Sequence, residues 1–281
     1  MTITPRLLAS SAVLALSAGF LSACGSDAES TVASDCEPIA EVETVEEGVL
    51  TAAVAEFPPY IGAQGGKPTG IDGELLTEIA EQLCLELDLQ VTSFPAITSA
   101  LESGRADLSA GSWTINEERQ EKFEVSDPVY LSLLSVVSAD GWSTVDELEG
   151  KRVGTTTGYL WVDDVQQILG ADALRLYESE QAVYDDLKAG RLDAGLFTEG
   201  AVAYYMDSDG NPEGLENEVI EADDRIEMTV NEPATGVLIR KGATDLLDAV
   251  NTVVAEMQTS GTLEELLTGA GISSESVVLP E

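Results

Sequence analysis

Two stretches of this chain repeat one another in form: LESGRADLSAG, residues 101–111, and LKAGRLDAGLF, residues 187–197. Each reads as a helix end, a glycine just past the last turn, an arginine, an aspartate, and then an apolar strand. A corner of this kind returns a helix to a sheet, and its recurrence predicts two lobes of similar construction. The surrounding chain agrees. VLTAAVA (49–55) predicts a strand, and GIDGELLTEIAEQLCLEL (70–87) a helix with Leu75, Ile79, Leu83 and Leu87 on one face. LQVTSF, AITSALESG and ADLSAGS continue as strand, helix and strand, and LSLLSVVSA (131–139) is a long apolar strand. KRVGTTT, LWVDDVQQILG, ALRLYES, QAVYDDLKAG, LDAGLFTEG and AVAYYMDS repeat the alternation. ATGVLIRK (234–241) adds a strand, and TDLLDAVNTVVAEMQTSG and TLEELLTG close the chain in helices. The expectation is an α/β fold with mostly parallel sheets.

Charge and residue content narrow the chemistry. With 13 Lys and Arg against 52 Asp and Glu, no basic patch for nucleic acid can form. There is no histidine, which excludes Ser-His-Asp and Cys-His nucleophile systems. It also leaves too few soft ligands for a structural zinc site. Residues 1–23 carry Arg6, a short apolar run rich in Ala and Ser, and then the small-residue ending LSAC, which is a signal-peptide layout. The polar stretch after it, GSDAESTVASD, predicts a flexible tether over 24–44. Two readings stand for Cys36 and Cys84. Export allows a disulfide; alternatively Cys84 is a buried thiol, since Leu76, Ala80 and Cys84 share a helix face.

One positive charge is oddly placed. SWTINEERQ (112–120) predicts a helix capped by Asn116, with Glu117 and Glu118 suited to its N-terminal end. Arg119 then falls in the first turn, where a cation is disfavoured.

The series Gly104, Asp107, Asn116, Glu118, Arg119, then Val125, Ser126, Asp127, Pro128 and Tyr130 resembles the extracellular solute-binding proteins of family 3, receptors of polar amino-acid ABC importers. FPPY (57–60), GIDGELLTEIA (70–80), ELEGKRVGT (147–155), AGRLDAGL (189–196) and SGTLEELL (260–267) extend the match over roughly residues 45–270. LSAC resembles a bacterial lipobox, which implies a diacylglyceryl thioether on Cys24 and a protein anchored on the outer face of the cell membrane. The resemblance implies two Rossmann-like lobes joined by two hinge strands, a type II periplasmic-binding-protein-like architecture. Lobe one would hold 45–137 and 234–281, lobe two 138–233. It also implies a monomer that takes no cofactor, captures a small polar solute such as an amino acid, and passes it to a membrane permease.

By the same resemblance Arg119 clamps a ligand carboxylate, which would outweigh its unfavourable helix position; a salt bridge to a nearby acid is the alternative. Thr114 would offer a hydroxyl to that carboxylate, and Ser112 polar contacts to an ammonium. Phe57 and Tyr60 match an aromatic that stacks on the ligand, with core packing as the alternative; Trp113 and Trp161 are cleft walls or core. Lobe two departs from the family pattern. Gly158, Tyr159 and Leu160 stand where the family has a helix start of Gly-Thr-Thr, and Thr198 stands where it has an aspartate for the ammonium. Either Glu199 takes that role by a register shift, or the ligand is not an ordinary α-amino acid. Asp72 and Glu74 read as helix caps. A dehydratase of the cyclohexadienyl or arogenate type, with Glu199 as its acid, and a sensor domain are the alternative uses of such a fold.

Overall fold

The computed structural model describes residues 32–278 apart from 34, 171 and 212. The signal segment and Cys24 lie outside the described residues. The chain runs β1 (Val49–Val54), a small hairpin of β2 (Gly62–Gln64) and β3 (Lys67–Thr69), α1 (Ile71–Gln82), β4 (Glu86–Val91), α2 (Phe94–Glu102), β5 (Leu108–Thr114), α3 (Glu117–Lys122) and β6 (Glu124–Val125). It continues through β7 (Leu134–Ser138), β8 (Val153–Thr156), α4 (Val162–Leu169), β9 (Leu174–Tyr177), α5 (Glu180–Lys188), β10 (Ala194–Thr198), α6 (Glu199–Asp209), β11 (Glu216–Val219) and α7 (Glu227–Val230). It returns as β12 (Thr235–Ile239), α8 (Thr244–Ser260) and α9 (Thr262–Gly269).

The strands form two five-stranded sheets, ordered β4-β1-β5-β12-β6 and β11-β7-β10-β8-β9. Within each, three strands are parallel: β4, β1 and β5 in the first, β10, β8 and β9 in the second. Helices cover both faces of each sheet. Leu50, Ile61, Leu76, Ile79 and Val250 bury one face of the first, and Ile97, Leu101 and Trp113 the other. In β7 the alternation of side chains sends Val136 to one core and Val137 to the opposite one.

The repeated motif makes the same corner twice. Gly104 and Gly190 adopt φ of 64° and 67°, left-handed values that cost a glycine little. Asp107 then donates its N–H to the Thr51 carbonyl while its carboxylate accepts the Thr51 N–H at 3.0 Å. Asp193 does the same with Arg152, at 2.8 Å for the carboxylate bond. In both lobes the aspartate thus locks the incoming strand to its parallel neighbour by a reciprocal pair.

Three expectations need correction. The lobe boundary at 137/138 falls too late, because β7 lies wholly inside the second sheet, between β11 and β10. Its long apolar character comes from being buried on both faces. The crossing between sheets is made earlier, near 130–133, and again near 233–235. There the Leu131–Ala234 bridge and the Thr235 N–H to Tyr130 carbonyl bond tie the two crossovers together. The helix expected over 70–87 stops at Gln82, since Leu83 caps it and Cys84 turns the chain at φ 54°, leaving 86–91 free to become β4. The tether expected over 24–44 is docked over its described C-terminal part. Cys36 is bonded to Cys84, the Ile39 N–H donates to the Gln82 carbonyl, and the Glu43 N–H donates to Asp245 Oδ2 at 2.8 Å. No helix among the described residues is long and apolar enough to cross a membrane.

Candidate functional site

In open α/β sheets ligands bind outside the carboxyl ends of the parallel strands, where side chains of the connecting loops converge. In the first lobe those ends deliver Phe57 after β1, Phe94 after β4, and Ser112, Trp113 and Thr114 at the end of β5. In the second they deliver Tyr159 after β8, Glu180 after β9, and Thr198 and Glu199 at the junction of β10 and α6. The two edges meet at one joint. A Cβ on Gly200, in the first turn of α6, would overlap the Tyr60 hydroxyl and stand 2.7 Å from Ile272 Cδ1. That contact joins the start of α6 in lobe two to the loop after β1 in lobe one.

The wall in lobe one is aromatic, with one cation on it. Phe94 packs edge-on to Trp113 at 5.2 Å between centroids and edge-on to Phe57 at 6.4 Å. The Trp113 Nε1–H is used up on Ser109 Oγ at 2.9 Å. The Arg119 guanidinium lies over the Trp113 ring, 5.0 Å from its centroid, and donates through Nη1 to the Thr114 carbonyl. Asn116 caps α3 by accepting the Arg119 N–H at 2.9 Å. Among the described residues no Asp or Glu forms a salt bridge with Arg119. Half-burial pulls its pKa below the usual value, opposed in part by the neighbouring Glu118 carboxylate.

Ser112 owes its position to Asp72. Ser112 sits at φ 54° inside β5, where the register with β12 shifts between Gly236 and Leu238. Asp72 Oδ2 accepts the Ser112 N–H at 2.8 Å and the Tyr130 hydroxyl at 2.9 Å. Asp72 is 3 % exposed. Burial drives its pKa up to about 6, against the lowering effect of those two donors. The expected capping role is overturned: Gly70 is the N-cap of α1, and the Asp72 side chain points inward to β5.

The wall in lobe two is built on Glu180, which is 5 % exposed and heads α5. Its Oε1 accepts the Thr198 N–H at 2.9 Å, and the Tyr159 hydroxyl and Thr198 side chain reach the same carboxylate. Burial raises its pKa, opposed by these donors. The Tyr159 ring leans on Trp161 at 4.5 Å, and Trp161 is core, its Nε1–H donating to Thr155 Oγ1 at 2.9 Å.

Several expected site residues sit elsewhere. Tyr60 is 2 % exposed, sandwiched between Phe57 and Tyr130 at 5.4 Å from each, so it forms the joint and not a ligand wall. Glu199 is engaged by lobe one: Oε1 accepts the Ser273 N–H at 2.6 Å and Oε2 the Ser276 hydroxyl at 3.0 Å. That leaves it neither a free acid for a dehydratase nor an open acceptor for an ammonium. Gly158 lies in a turn, and α4 begins only at Val162, so the amides of Gly158–Leu160 precede the helix. Leu160 is 70 % exposed. A broad surface hollow of about 820 Å³, lined in part by Glu56, Glu74 and Glu265, does not include Arg119 or Glu180.

Residues 50–269 match the model of the bacterial extracellular solute-binding proteins, family 3. The L-cystine-binding protein TcyJ of Escherichia coli K12 is 30% identical over 223 residues, covering 78% of this chain and 80% of that protein. Among solved structures, an ancestral arginine-binding protein bound to arginine superposes with a TM-score of 0.57 at 26% identity, over 79% of this chain and 97% of that one. An ancestral cationic amino acid solute-binding protein gives 0.66 at 22% identity, over 79% and 95%. The two-lobed α/β fold is the type II periplasmic-binding-protein fold, and the members matched are binding proteins, not enzymes. This chain belongs to the bacterial extracellular solute-binding proteins of family 3, and its activity is the capture of a solute.

Proposed function

We propose that the chain is the receptor of an ABC importer for a polar amino acid, and that Arg119 takes the carboxylate of that ligand in the space between the lobes. The carrying observation is the unpaired guanidinium: a chain with 52 acidic residues leaves this cation without a carboxylate among the described residues. A guanidinium fork suits a carboxylate in a bidentate arrangement. Charge-assisted hydrogen bonds contribute about 1.5–3 kcal/mol net. Micromolar affinity needs about 8 kcal/mol, so Arg119 supplies part, and burial against Phe57 and Phe94 supplies more. Ser112 and Thr114, held at the end of β5, complete the polar side of this wall.

The names of the relatives support an amino-acid ligand, and the leader supports delivery outside the membrane. Cys24 would carry the lipid and hold the receptor, a monomer, on the extracytoplasmic face beside its permease. The test is titration calorimetry of purified protein against L-arginine, L-histidine, L-lysine, L-glutamine and L-cystine. Arg119→Ala should weaken the tightest of these by roughly ten- to hundredfold. An unchanged affinity would remove Arg119 from the site.

A further inference from the structure

More than the two crossovers joins the lobes. Outside the segments near 130–133 and 233–235, the hydrogen bonds between the lobes among the described residues all come from the first turn of α6. Glu199 Oε1 accepts the Ser273 N–H at 2.6 Å, and Oε2 accepts the Ser276 hydroxyl at 3.0 Å. The Gly200 N–H donates to the Tyr60 hydroxyl. These groups are shielded from water: Ser276 is fully buried and Glu199 is 4 % exposed. The lobe-one side of the contact is itself fastened to a crossover. The Ser276 carbonyl accepts the Leu131 N–H at 2.8 Å, and Val277 bridges to Tyr130. The segment 271–277 therefore links α9 to the crossover while lying against α6.

This fit admits one orientation of the lobes. A hydrogen bond keeps its strength only up to about 3.2 Å between donor and acceptor. Closer approach is barred as well, because Gly200 already lies against the Tyr60 hydroxyl and Ile272 Cδ1 with no room for another atom. Rotation of lobe two about the crossovers therefore draws Glu199 away from its donors. In this same orientation the two lobes do not grip one another elsewhere. Among the described residues no hydrogen bond, ion pair or ring contact joins Phe94, Trp113 or Arg119 to Tyr159, Leu160 or Thr198. Phe94 is 41 % exposed and Leu160 70 %.

We infer that the contact of Glu199 with Ser273 and Ser276 is a latch: it holds the lobes apart, and a ligand must break it to draw them together. This rests on the reading of the chain as a receptor whose lobes close on a solute. The latch then sets affinity without touching the ligand. Apparent affinity falls with the fraction of molecules able to adopt the binding-competent arrangement, and a bond present only in the other arrangement lowers that fraction. The bond from Gly200 to Tyr60 acts in the same sense. Every ligand is weakened by the same factor, and removing one latch bond returns part of it.

The experiment uses Ser276→Ala, which deletes one donor and keeps the backbone bond to Leu131, and Tyr60→Phe, which deletes the acceptor of Gly200. Each should bind the tightest member of the calorimetric panel about three- to tenfold more tightly than wild type, while melting no higher. A purely structural role would leave affinity unchanged or weaken it. A second readout needs no ligand. Thr92 and Glu178 are exposed residues directly after the edge strands β4 and β9, one in each lobe. Spin labels on Thr92→Cys and Glu178→Cys report the separation of the lobes, and adding Ser276→Ala should shift the distances toward shorter values. Unchanged or weaker binding in both variants, or an unshifted distance distribution, would overturn the latch and make the contact a pivot that persists through closure. A wild type that binds no member of the panel would overturn the amino-acid reading, and the label distances would still decide the latch.

Discussion

Asp72 and Tyr130 meet in a buried hydrogen bond of 2.9 Å, and the same carboxylate oxygen holds the Ser112 N–H. One side chain thus connects a crossover between the lobes to the strand that carries Ser112, Trp113 and Thr114. Its charge is maintained at a cost. The folded-state pKa of about 6 lies above the unfolded value of 3.8, so the folded chain holds the proton more tightly than the unfolded chain. The stability this brings is fully present below about 3.8 and is lost as pH rises through about 6. Asp72→Asn removes that titration while keeping an acceptor for both donors. Between about pH 4 and about pH 7 the unfolding free energy of wild type should fall relative to the variant by on the order of 3 kcal/mol. Urea melts across that window check it; Glu180 and Glu199, raised in the same direction, are present in both proteins and cancel. A difference that stays constant with pH would show that Asp72 does not titrate there.

The joint between the lobes tolerates no added atom at position 200. Gly200→Ala places a methyl group against the Tyr60 hydroxyl and Ile272 Cδ1. Overpacking of this kind costs about 1–3 kcal/mol. Tyr60→Phe removes the hydroxyl and with it the hydrogen bond from the Gly200 N–H. The double variant should be more stable than the sum of the two single losses predicts, with a coupling of about 1 kcal/mol measured by denaturant melts. Additive losses would place the strain of Gly200→Ala elsewhere.

The Cys36–Cys84 disulfide closes a loop of 48 residues and pins the N-terminal segment to the end of α1. In the chain-entropy model a loop of that size is worth about 4 kcal/mol. Cys36→Ser with Cys84→Ser should lower the melting temperature by several degrees. Reductant should shift wild type to the same value and leave the variant unmoved. A wild type indifferent to reductant would show that the bond adds nothing to stability.

The alternation of strand and helix, the two lobes and the twin Gly-Arg-x-Asp corners were legible because each depends on local spacing. The glycine after a helix and the aspartate two residues later dictate the same hydrogen bonds wherever they occur. Arg119 was legible because it contradicts its own helix end. Of the buried acids Asp72 and Glu180, the first was read only as a helix cap and the second was not singled out, yet both left a mark. Asp72 stands in register with Leu75, Leu76 and Ile79 on α1, and Glu180 with Val183, Tyr184 and Leu187 on α5. A carboxylate on an apolar stripe is buried by the helix that carries it, a stronger signal than its nearness to the N-terminus. Phe94 was hidden because LQVTSF reads as a strand, whereas Phe94 opens α2 with Pro95 in its first turn. The engagement of Glu199 by residues 273–276 could not be read, since it depends on how α6 meets a segment far along the chain.

Glu199 provides the sharpest contrast with Glu180, for both are buried acids at the same sheet edge. Glu199 spends both oxygens on Ser273 and Ser276, so it fastens the start of α6 to lobe one. Glu199→Ala would leave the Ser273 N–H and the Ser276 hydroxyl without their acceptor, while relieving the desolvation that raises the Glu199 pKa. The net loss should be about 1–3 kcal/mol of stability. Because the contact lies between the lobes and not on the ligand, any change in affinity should be equal for an amino acid and its des-amino counterpart. Titration calorimetry of an amino acid and its des-amino counterpart, in wild type and Glu199→Ala, reads this out. A selective loss of the amino acid in Glu199→Ala would make Glu199 an ammonium contact and require it to leave Ser273 and Ser276 when the ligand binds.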